Sequence, residues 1–144
     1  MSISVRQVAA HDLEVLAEWE AHNASGATWT IKDLSEEFYF PQTYLWVAVS
    51  GEERCGYCVA RQLPDGFELM NILVPLAHRR RGVARHLMDA LHRASGSEPV
   101  YLEVRASNEA AQALYASFGY EQTGLRAGYY RDGEDAVLMS REPS

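Results

Sequence analysis

The spacing of apolar and polar residues along the chain predicts alternating strands and helices. Runs in which every second residue is apolar are typical of half-buried strands, and apolar residues three and four apart are typical of amphipathic helices. Helices are predicted from Asp12, from Thr30 as a side-chain cap, from about Gly82 to Ala94, and after Ser107-Asn108. Strands are predicted over residues 3–7, 44–50, 54–62, 67–74, 100–104, 120–130 and 136–139.

Turn signals between these runs indicate how the predicted strands connect. Gly51-Glu52-Glu53, Pro64-Asp65-Gly66 and Asp132-Gly133 are typical of hairpins. The helix between strands 67–74 and 100–104 instead predicts a crossover between parallel strands. The sequence therefore predicts an α+β fold, a mixed and mostly antiparallel seven-stranded sheet with about four helices on its faces, in a single domain over residues 1–144.

Composition and charge narrow the classes of function. The 144 residues carry a formal net charge of −7, which argues against a general nucleic-acid-binding protein because such proteins present a basic surface. The charge suits a cationic partner such as an amine or a basic peptide, or it is simply the acidic surface of a soluble protein. No apolar run approaches the roughly 20 residues of a membrane span, and the N-terminus lacks a signal-peptide pattern. We expect a cytoplasmic protein that binds neither nucleic acid nor membrane.

Cys55 and Cys58 have the spacing of a redox or zinc motif. They lie in a predicted strand, however, where residues three apart point to opposite faces of the sheet. A dithiol or a metal site needs both sulfurs on one side, and zinc would need further ligands. We expect two structural thiols and no metal site.

The segment HRRRGVARHLM, residues 78–88, places a basic turn where a predicted strand ends and a helix begins. The first turn of a helix binds anions through unpaired N–H groups and the positive end of the helix dipole. Gly82 and Ala84 let a ligand approach the backbone closely. Positive charge is added by Arg79, Arg80, Arg81 and Arg85. The alternative is a solvated basic turn without a ligand.

Arg79-x-x-Gly82-x-Ala84 resembles the pyrophosphate loop of the GNAT N-acetyltransferase superfamily, and the predicted order of elements matches that family over essentially the whole chain. The resemblance implies acetyl-coenzyme A (acetyl-CoA) as co-substrate and implies no metal. It also implies that the strand before the loop lends backbone groups to the pantetheine arm and the thioester. The implied cofactor-binding residues are Ile72, Leu73, Val74, Arg79, Arg80, Arg81, Gly82, Val83, Ala84, Arg85 and Asn108.

A narrower resemblance lies in the segments ELMNILV, LEVRASN, ALYASFGY and GYYRDGEDAVLM, which are similar to the RimI-like ribosomal-protein-alanine N-acetyltransferases. It implies transfer of an acetyl group to the N-terminal alanine of a small-subunit ribosomal protein. The chain departs from this pattern at Ala27-Thr28-Trp29, where Phe-Pro-Trp is common, at Pro75-Leu76 and at Ala84. The first departure borders the expected acceptor site and bears on the choice of acceptor.

Glu103 is a carboxylate in the middle of an otherwise apolar strand, which packing alone does not explain. It is suited to remove a proton from an attacking ammonium group, the role that the resemblance implies, or it pairs with Arg105 or another arginine. Glu68 on the neighbouring strand is the rival base. Tyr115 follows Asn108 by about two helical turns and shares a face with it. From the residues alone Tyr115 is a core aromatic, whereas the resemblance implies a general acid for the departing thiolate.

Three functions stay open from the sequence. The first is acetylation of a protein or peptide N-terminus, with a ribosomal protein as partner. The second is a GNAT enzyme for a small amine (an amino acid, polyamine or aminoglycoside) or for protein lysines. The third is a non-catalytic acetyl-CoA sensor, which would need neither Glu103 nor Tyr115. Tyr129 and Tyr130 either line the acceptor groove or pack the terminal hairpin.

Overall fold

The computed structural model describes residues 2–22 and 29–142. The strands are β1 (Ile3–Gln7), β2 (Thr43–Ser50), β3 (Glu53–Leu63), β4 (Gly66–Leu73), β5 (Val100–Arg105), β6 (Glu121–Arg126) and β7 (Ala136–Arg141). The helices are α1 (Leu13–Ala21), α2 (Ile31–Tyr39), α3 (Val83–Ser95) and α4 (Glu109–Ser117). Within the described ranges, no helix is long and apolar enough to cross a membrane. Ala27 and Thr28, where the sequence departs from the RimI-like pattern, lie outside the described residues.

The strands form one sheet in the order β1-β2-β3-β4-β5-β7-β6. Every neighbouring pair is antiparallel except β4 and β5. The helix α3 lies between these two strands in the chain. It leads the chain back to the end of the sheet where β4 begins, so β5 runs parallel to β4. The predicted α+β architecture is confirmed.

Each face of the sheet buries its own apolar cluster. On one face, α3 packs its predicted stripe, which includes Val83, Leu87 and Leu91, against the strands. On the other face, Leu16 of α1 and Leu34 of α2 pack against residues of β2, β3 and β4. Helices on both sides therefore hold the central strands in place.

Two β-bulges interrupt the alternation of side chains in the central strands. The pairing of β2 with β3 shifts so that Cys55 is an extra residue, and it lies with Cys58 in the same buried cluster. The expectation that these cysteines face opposite sides was wrong, because a bulge reverses the alternation beyond it. Both thiols are free and buried, and burial raises the pKa of each. A second bulge makes Met70 the extra residue of β4.

The parallel pairing of β4 with β5 is short. It ends at the pair of Leu69 and Leu102, although β4 continues to Leu73 and β5 to Arg105. β5 stays paired with β7 over its full length, and the bulge at Met70 bends β4. The two strands therefore diverge, and among the described residues their facing edges have no strand partner beyond this point.

Local chemistry accounts for the ends of the helices. Thr30 caps α2 as predicted, because its hydroxyl oxygen accepts a hydrogen bond from the Asp33 backbone N–H at 3.1 Å. Gly82 (φ 77°) precedes α3, and Gly119 (φ 91°) follows α4. Both have the left-handed conformation that favours glycine, so the predicted helix boundaries at these two positions are confirmed.

The strand β6 is shorter than the sequence predicts. It ends at Arg126 rather than at Tyr130. The backbone turns at Gly128, whose φ is 63°, and residues 127–135 form a loop before β7. Tyr129 and Tyr130 therefore belong to a loop, which borders the site described next.

Candidate active site

A cleft of about 380 Å³ opens where β4 and β5 diverge. Its walls come from these two strands, from α4 and from the loop of residues 127–135. The cleft brings together both candidate bases, the candidate acid and several neighbouring polar residues: Glu68, Asn71, Glu103, Asn108, Tyr115, Tyr129 and Tyr130.

Glu103 faces the cleft because buried and partly exposed residues alternate along β5. Its Oε1 lies 3.7 Å from Nη1 of Arg126, and its side chain is 24% exposed. Arg105 does not pair with it but contacts Asp132 and Glu134 instead. The Tyr129 side chain also hydrogen-bonds Glu103, which raises the pKa of Tyr129, so Arg126 and Tyr129 both hold the Glu103 carboxylate at the cleft.

Glu68 extends into the cleft from β4, where it is paired in register with Tyr101 of β5. Burial raises the pKa of Glu68, and the negative charge of Glu103 raises it further. A carboxyl group with a raised pKa is better suited to accept a proton near neutral pH. On this geometry both Glu68 and Glu103 stay candidate bases.

Tyr115 reaches the cleft from α4 and is 6% exposed. Burial raises the pKa of Tyr115 to about 12, so the hydroxyl keeps its proton at neutral pH. Asn108 caps the same helix by accepting a hydrogen bond from the Ala111 backbone N–H at 3.1 Å. Asn108 and Tyr115 line the same cleft, as their spacing predicts.

A groove of about 910 Å³ continues from the cleft along the unpaired end of β4. Ile72 and Asn108 line both spaces, so the groove and the cleft are contiguous. Leu73, Val74 and Arg79 line the groove farther from the cleft. Backbone N–H and C=O groups without a strand partner are available to an extended ligand. This groove matches the place that the resemblance implies for a pantetheine arm.

The basic turn lies at the far end of this groove. Gly82 has open space where a Cβ would project, so a ligand can approach the start of α3 closely. A pocket of about 220 Å³ at this turn is lined by Gly82 and Ala84 together with Arg79, Arg80 and Arg85. The residues present therefore fit a phosphate-bearing ligand.

Two residues of the expected cofactor set point elsewhere. Arg81 donates to His78 Nδ1 at 3.0 Å and contacts Ser50 Oγ at 3.5 Å, so it lies towards the sheet and outside the pocket. The backbone turns between Arg79 and Arg81, because Arg80 has a φ of 67°. Val83 is buried in the core, so only its backbone can face a ligand.

A buried hydrogen-bond network supports one wall of the cleft and was missed by sequence reasoning. The fully buried carboxylate of Glu20 accepts hydrogen bonds from the Tyr57 hydroxyl at 2.6 Å and the Asn71 side-chain amide at 2.9 Å. The Trp29 backbone N–H donates to the same carboxylate at 3.3 Å. Asn71 and Trp29 both line the cleft. The available signal was a glutamate on the apolar stripe of the predicted first helix.

Comparison with known proteins places this geometry in a family. The model of the acetyltransferase (GNAT) family matches residues 13–120, most of the chain. The chain belongs to the GNAT acetyltransferase family. The predicted family resemblance, fold and enzyme class are thereby confirmed.

Two curated relatives and one solved structure are similar to this GNAT acetyltransferase over most of its length. The N-alpha-acetyltransferase RimI of Mycobacterium tuberculosis is 36% identical over 137 residues, which are 91% of this chain and 87% of that protein. The ribosomal protein bS18-alanine N-acetyltransferase of Salmonella typhimurium is 35% identical over 117 residues, which are 74% of this chain and 78% of that protein. The crystal structure of the ribosomal-protein-S18-alanine N-acetyltransferase from Escherichia coli matches with a TM-score of 0.84 and 27% identity, covering 99% of this chain and 95% of that chain.

Another relative shares only a segment. The uncharacterized protein ML0378 of Mycobacterium leprae is 50% identical over 80 residues, which are 55% of this chain but only 22% of that protein. Its name states no activity, so it adds nothing on the acceptor.

Proposed function

We propose that this GNAT acetyltransferase moves an acetyl group from acetyl-CoA to the N-terminal α-amine of a protein, with the N-terminal alanine of a small-subunit ribosomal protein as the first candidate acceptor. The proposal rests on the cleft between the diverging ends of β4 and β5, which brings Glu68, Glu103 and Tyr115 together. Two relatives support this acceptor, because each is named as an N-acetyltransferase of the alanine of ribosomal protein S18.

Acetyl-CoA suits the groove that leads into the cleft. The start of α3 offers N–H groups for the pyrophosphate, and Arg79 and Arg85 offer positive charge. The backbone of residues 72–74 offers hydrogen bonds to the amide-containing pantetheine arm. The match to the GNAT family model supports the same co-substrate.

The residues of the cleft have separate tasks in this proposal. Glu103, or Glu68 in its place, takes a proton from the acceptor ammonium group, so that the nitrogen lone pair can attack the thioester carbonyl carbon. The attack gives a tetrahedral intermediate, whose carbon–sulfur bond then breaks as Tyr115 gives its proton to the departing thiolate. The second proton that the nitrogen loses returns to the Tyr115 oxygen, directly or through water, so that the protons balance. A backbone N–H of Leu73 or Val74 stabilises charge on the carbonyl oxygen, a contact whose loss typically costs roughly 3–4 kcal/mol.

The test is thiol release from acetyl-CoA with a lysine-containing peptide that begins with alanine. The matched control is the same peptide with a blocked N-terminus, since only the α-amine differs. We expect turnover on the free peptide and none on the blocked one. If Glu103 is the base, Glu103→Gln loses on the order of 10²- to 10⁴-fold in rate.

Other outcomes would change specific parts of the proposal. Full activity in Glu103→Gln together with loss in Glu68→Gln would assign the base to Glu68. Turnover on the blocked peptide or on small amines, without turnover on the free N-terminus, would contradict the proposed acceptor. Acetyl-CoA binding without turnover on any amine would favour a non-catalytic sensor.

A further inference from the structure

The loop of residues 127–135 forms a wall of the cleft and is folded by its own hydrogen bonds. The backbone N–H of Gly128 donates to Oδ1 of Asp135 at 2.9 Å, and that of Tyr130 donates to the Glu134 carbonyl at 3.1 Å. The rings of Tyr129 and Tyr130 contact edge to face, with centroids 5.2 Å apart. Both tyrosines line the cleft and neither lines the groove along β4, so this wall lies on the side away from the cofactor groove.

Arg105 fastens this loop to β5. Its Nη1 donates to Oδ2 of Asp132 and to Oε1 of Glu134, both at 2.9 Å. Its guanidinium carbon lies 4.1 Å from the centre of the Tyr130 ring. The side chains of Arg105 and Glu134 are 18% and 22% exposed, whereas that of Asp132 is 61% exposed. Water therefore weakens the Asp132 pair more than it weakens the Glu134 pair and the cation–π contact.

Glu134 connects the same loop to the start of α4. Its Oε2 accepts a hydrogen bond from the Ser107 backbone N–H at 2.7 Å, while its Oε1 accepts from Arg105. Asn108, which follows Ser107 in the chain, caps α4 and lines the cleft. The loop, β5 and the helix that contains Tyr115 are therefore joined through one carboxylate.

We infer that Arg105 is a positioning residue that holds Tyr129 and Tyr130 as a fixed wall for the acceptor and takes no part in the chemistry itself. The inference rests on the proposed function, since it needs an acceptor that binds against this wall. Arg105 lies two residues after Glu103 on the same face of β5. The wall and a candidate base are therefore fixed on one strand.

Arg126 contacts the same wall less closely. Its guanidinium carbon lies 5.4 Å from the centre of the Tyr129 ring, and its side chain is 56% exposed. An exposed arginine at this distance holds a ring weakly. Tyr129 is also held from β5 by its hydrogen bond to Glu103, whereas Arg105 holds Tyr130 and the acidic residues of the loop.

Kinetics of Arg105→Gln give the first test. We expect the KM for the acceptor peptide to rise about tenfold, while kcat and the Kd of acetyl-CoA change less than about twofold, because a loosened wall weakens acceptor binding alone. Arg105→Lys keeps the positive charge but loses the planar guanidinium group and its stacking on Tyr130. Its KM for the acceptor peptide should therefore lie between those of the wild type and Arg105→Gln. Arg93→Gln removes an exposed arginine of α3 and should match the wild type.

Hydrogen exchange gives a second test that does not depend on activity. Amides of residues 127–135 should exchange faster in Arg105→Gln, and those of β3 should not change. Faster exchange throughout the chain, or acetyl-CoA binding weakened as much as acceptor binding, would show a general structural role and overturn the inference. An unchanged acceptor KM would also overturn it. A wild type inactive on every amine would reject the proposed function, and loop exchange alone would then decide whether Arg105 holds the wall.

Discussion

At the scale of the single residue, burial sets the protonation of Tyr115. Its ring lies in the core beside that of Tyr120, with centroids 5.9 Å apart. Because burial raises the pKa of Tyr115 to about 12, its hydroxyl stays protonated near neutral pH. The hydroxyl faces the cleft with its proton in place. Its raised pKa makes it a weaker acid than an ordinary tyrosine, so the geometry and not the pKa favours Tyr115 as the donor to a leaving thiolate.

Tyr115→Phe should therefore lower kcat by about 10²- to 10⁴-fold, the range typical of a lost acid catalyst. The Kd of acetyl-CoA should stay close to that of the wild type, since only a hydroxyl is removed. Steady-state kinetics and binding titrations check both values. Tyr120→Phe is the matched control, because Tyr120 is also a buried tyrosine and its hydroxyl contacts Nε2 of His92 at 2.8 Å rather than the cleft. Equal losses of kcat in the two variants would make Tyr115 a structural aromatic.

Single residues of the site differ in how far the sequence could identify them. Glu103 was conspicuous because a charged residue interrupts an apolar strand, and Tyr115 was identified through a family motif. The contacts of Glu20 with Tyr57 and Asn71 join α1, β3 and β4. Local sequence patterns do not predict which side chains of separate elements will contact each other. The sequence therefore indicated that Glu20 lies on an apolar helix face, but not that it hydrogen-bonds Tyr57 and Asn71.

At the scale of the element, Asp12 joins three segments that are distant in the chain. Its carboxylate is fully buried before α1 and accepts hydrogen bonds from Arg6 of β1 at 2.8 and 3.0 Å and from Arg54 of β3 at 2.6 Å. The hydrogen bonds from Arg6 outweigh burial and hold the pKa of Asp12 well below its usual range. The first helix is therefore attached to two strands through one ionised side chain.

Asp12→Asn should lower the free energy of unfolding at pH 7 by about 2 kcal/mol, a modest loss because both arginines are partly exposed and can be rehydrated. Since folding lowers the pKa of Asp12, its contribution is present above the unfolded pKa of about 3.9. It is lost as the pH falls through the lower folded value. Urea unfolding should show the difference between wild type and variant narrowing below about pH 4. Glu14→Gln, which neutralises an exposed carboxylate of α1, should have little effect, and a difference independent of pH would contradict the assignment.

Element boundaries were predictable where their causes are local. Thr30, Gly82 and Gly119 mark helix ends because capping and left-handed glycines act within a few residues. The bulges at Cys55 and Met70 were not predictable, because they arise from the pairing of two strands. The bulge in β4 accompanies the divergence that opens the cleft. The sequence therefore identified many of the residues of the site but not the space between them.

At the scale of the whole molecule, close packing at one glycine relates the core to the cofactor groove. A Cβ at Gly56 of β3 would lie 2.7 Å from Cγ1 of Val83 and 3.2 Å from the carbonyl oxygen of Leu73. Val83 is the first residue of α3, and Leu73 is the last residue of β4. Gly56 thus sets the distance between the basic turn and the unpaired end of β4, the two parts of the proposed acetyl-CoA site.

Gly56→Ala should therefore impair folding and cofactor binding together. Overpacking of this kind typically costs about 1–3 kcal/mol of stability, and a displaced α3 should weaken acetyl-CoA binding severalfold. Urea unfolding and calorimetric titration measure the two effects. Gly124→Ala is the matched control. Gly124 lies in β6 at the edge of the sheet, far from the basic turn. Its added Cβ would meet only the Leu138 side chain, whose Cδ1 is nearest at 3.2 Å. Lower stability with unchanged affinity for acetyl-CoA would mean that contacts other than Gly56 hold the turn in place.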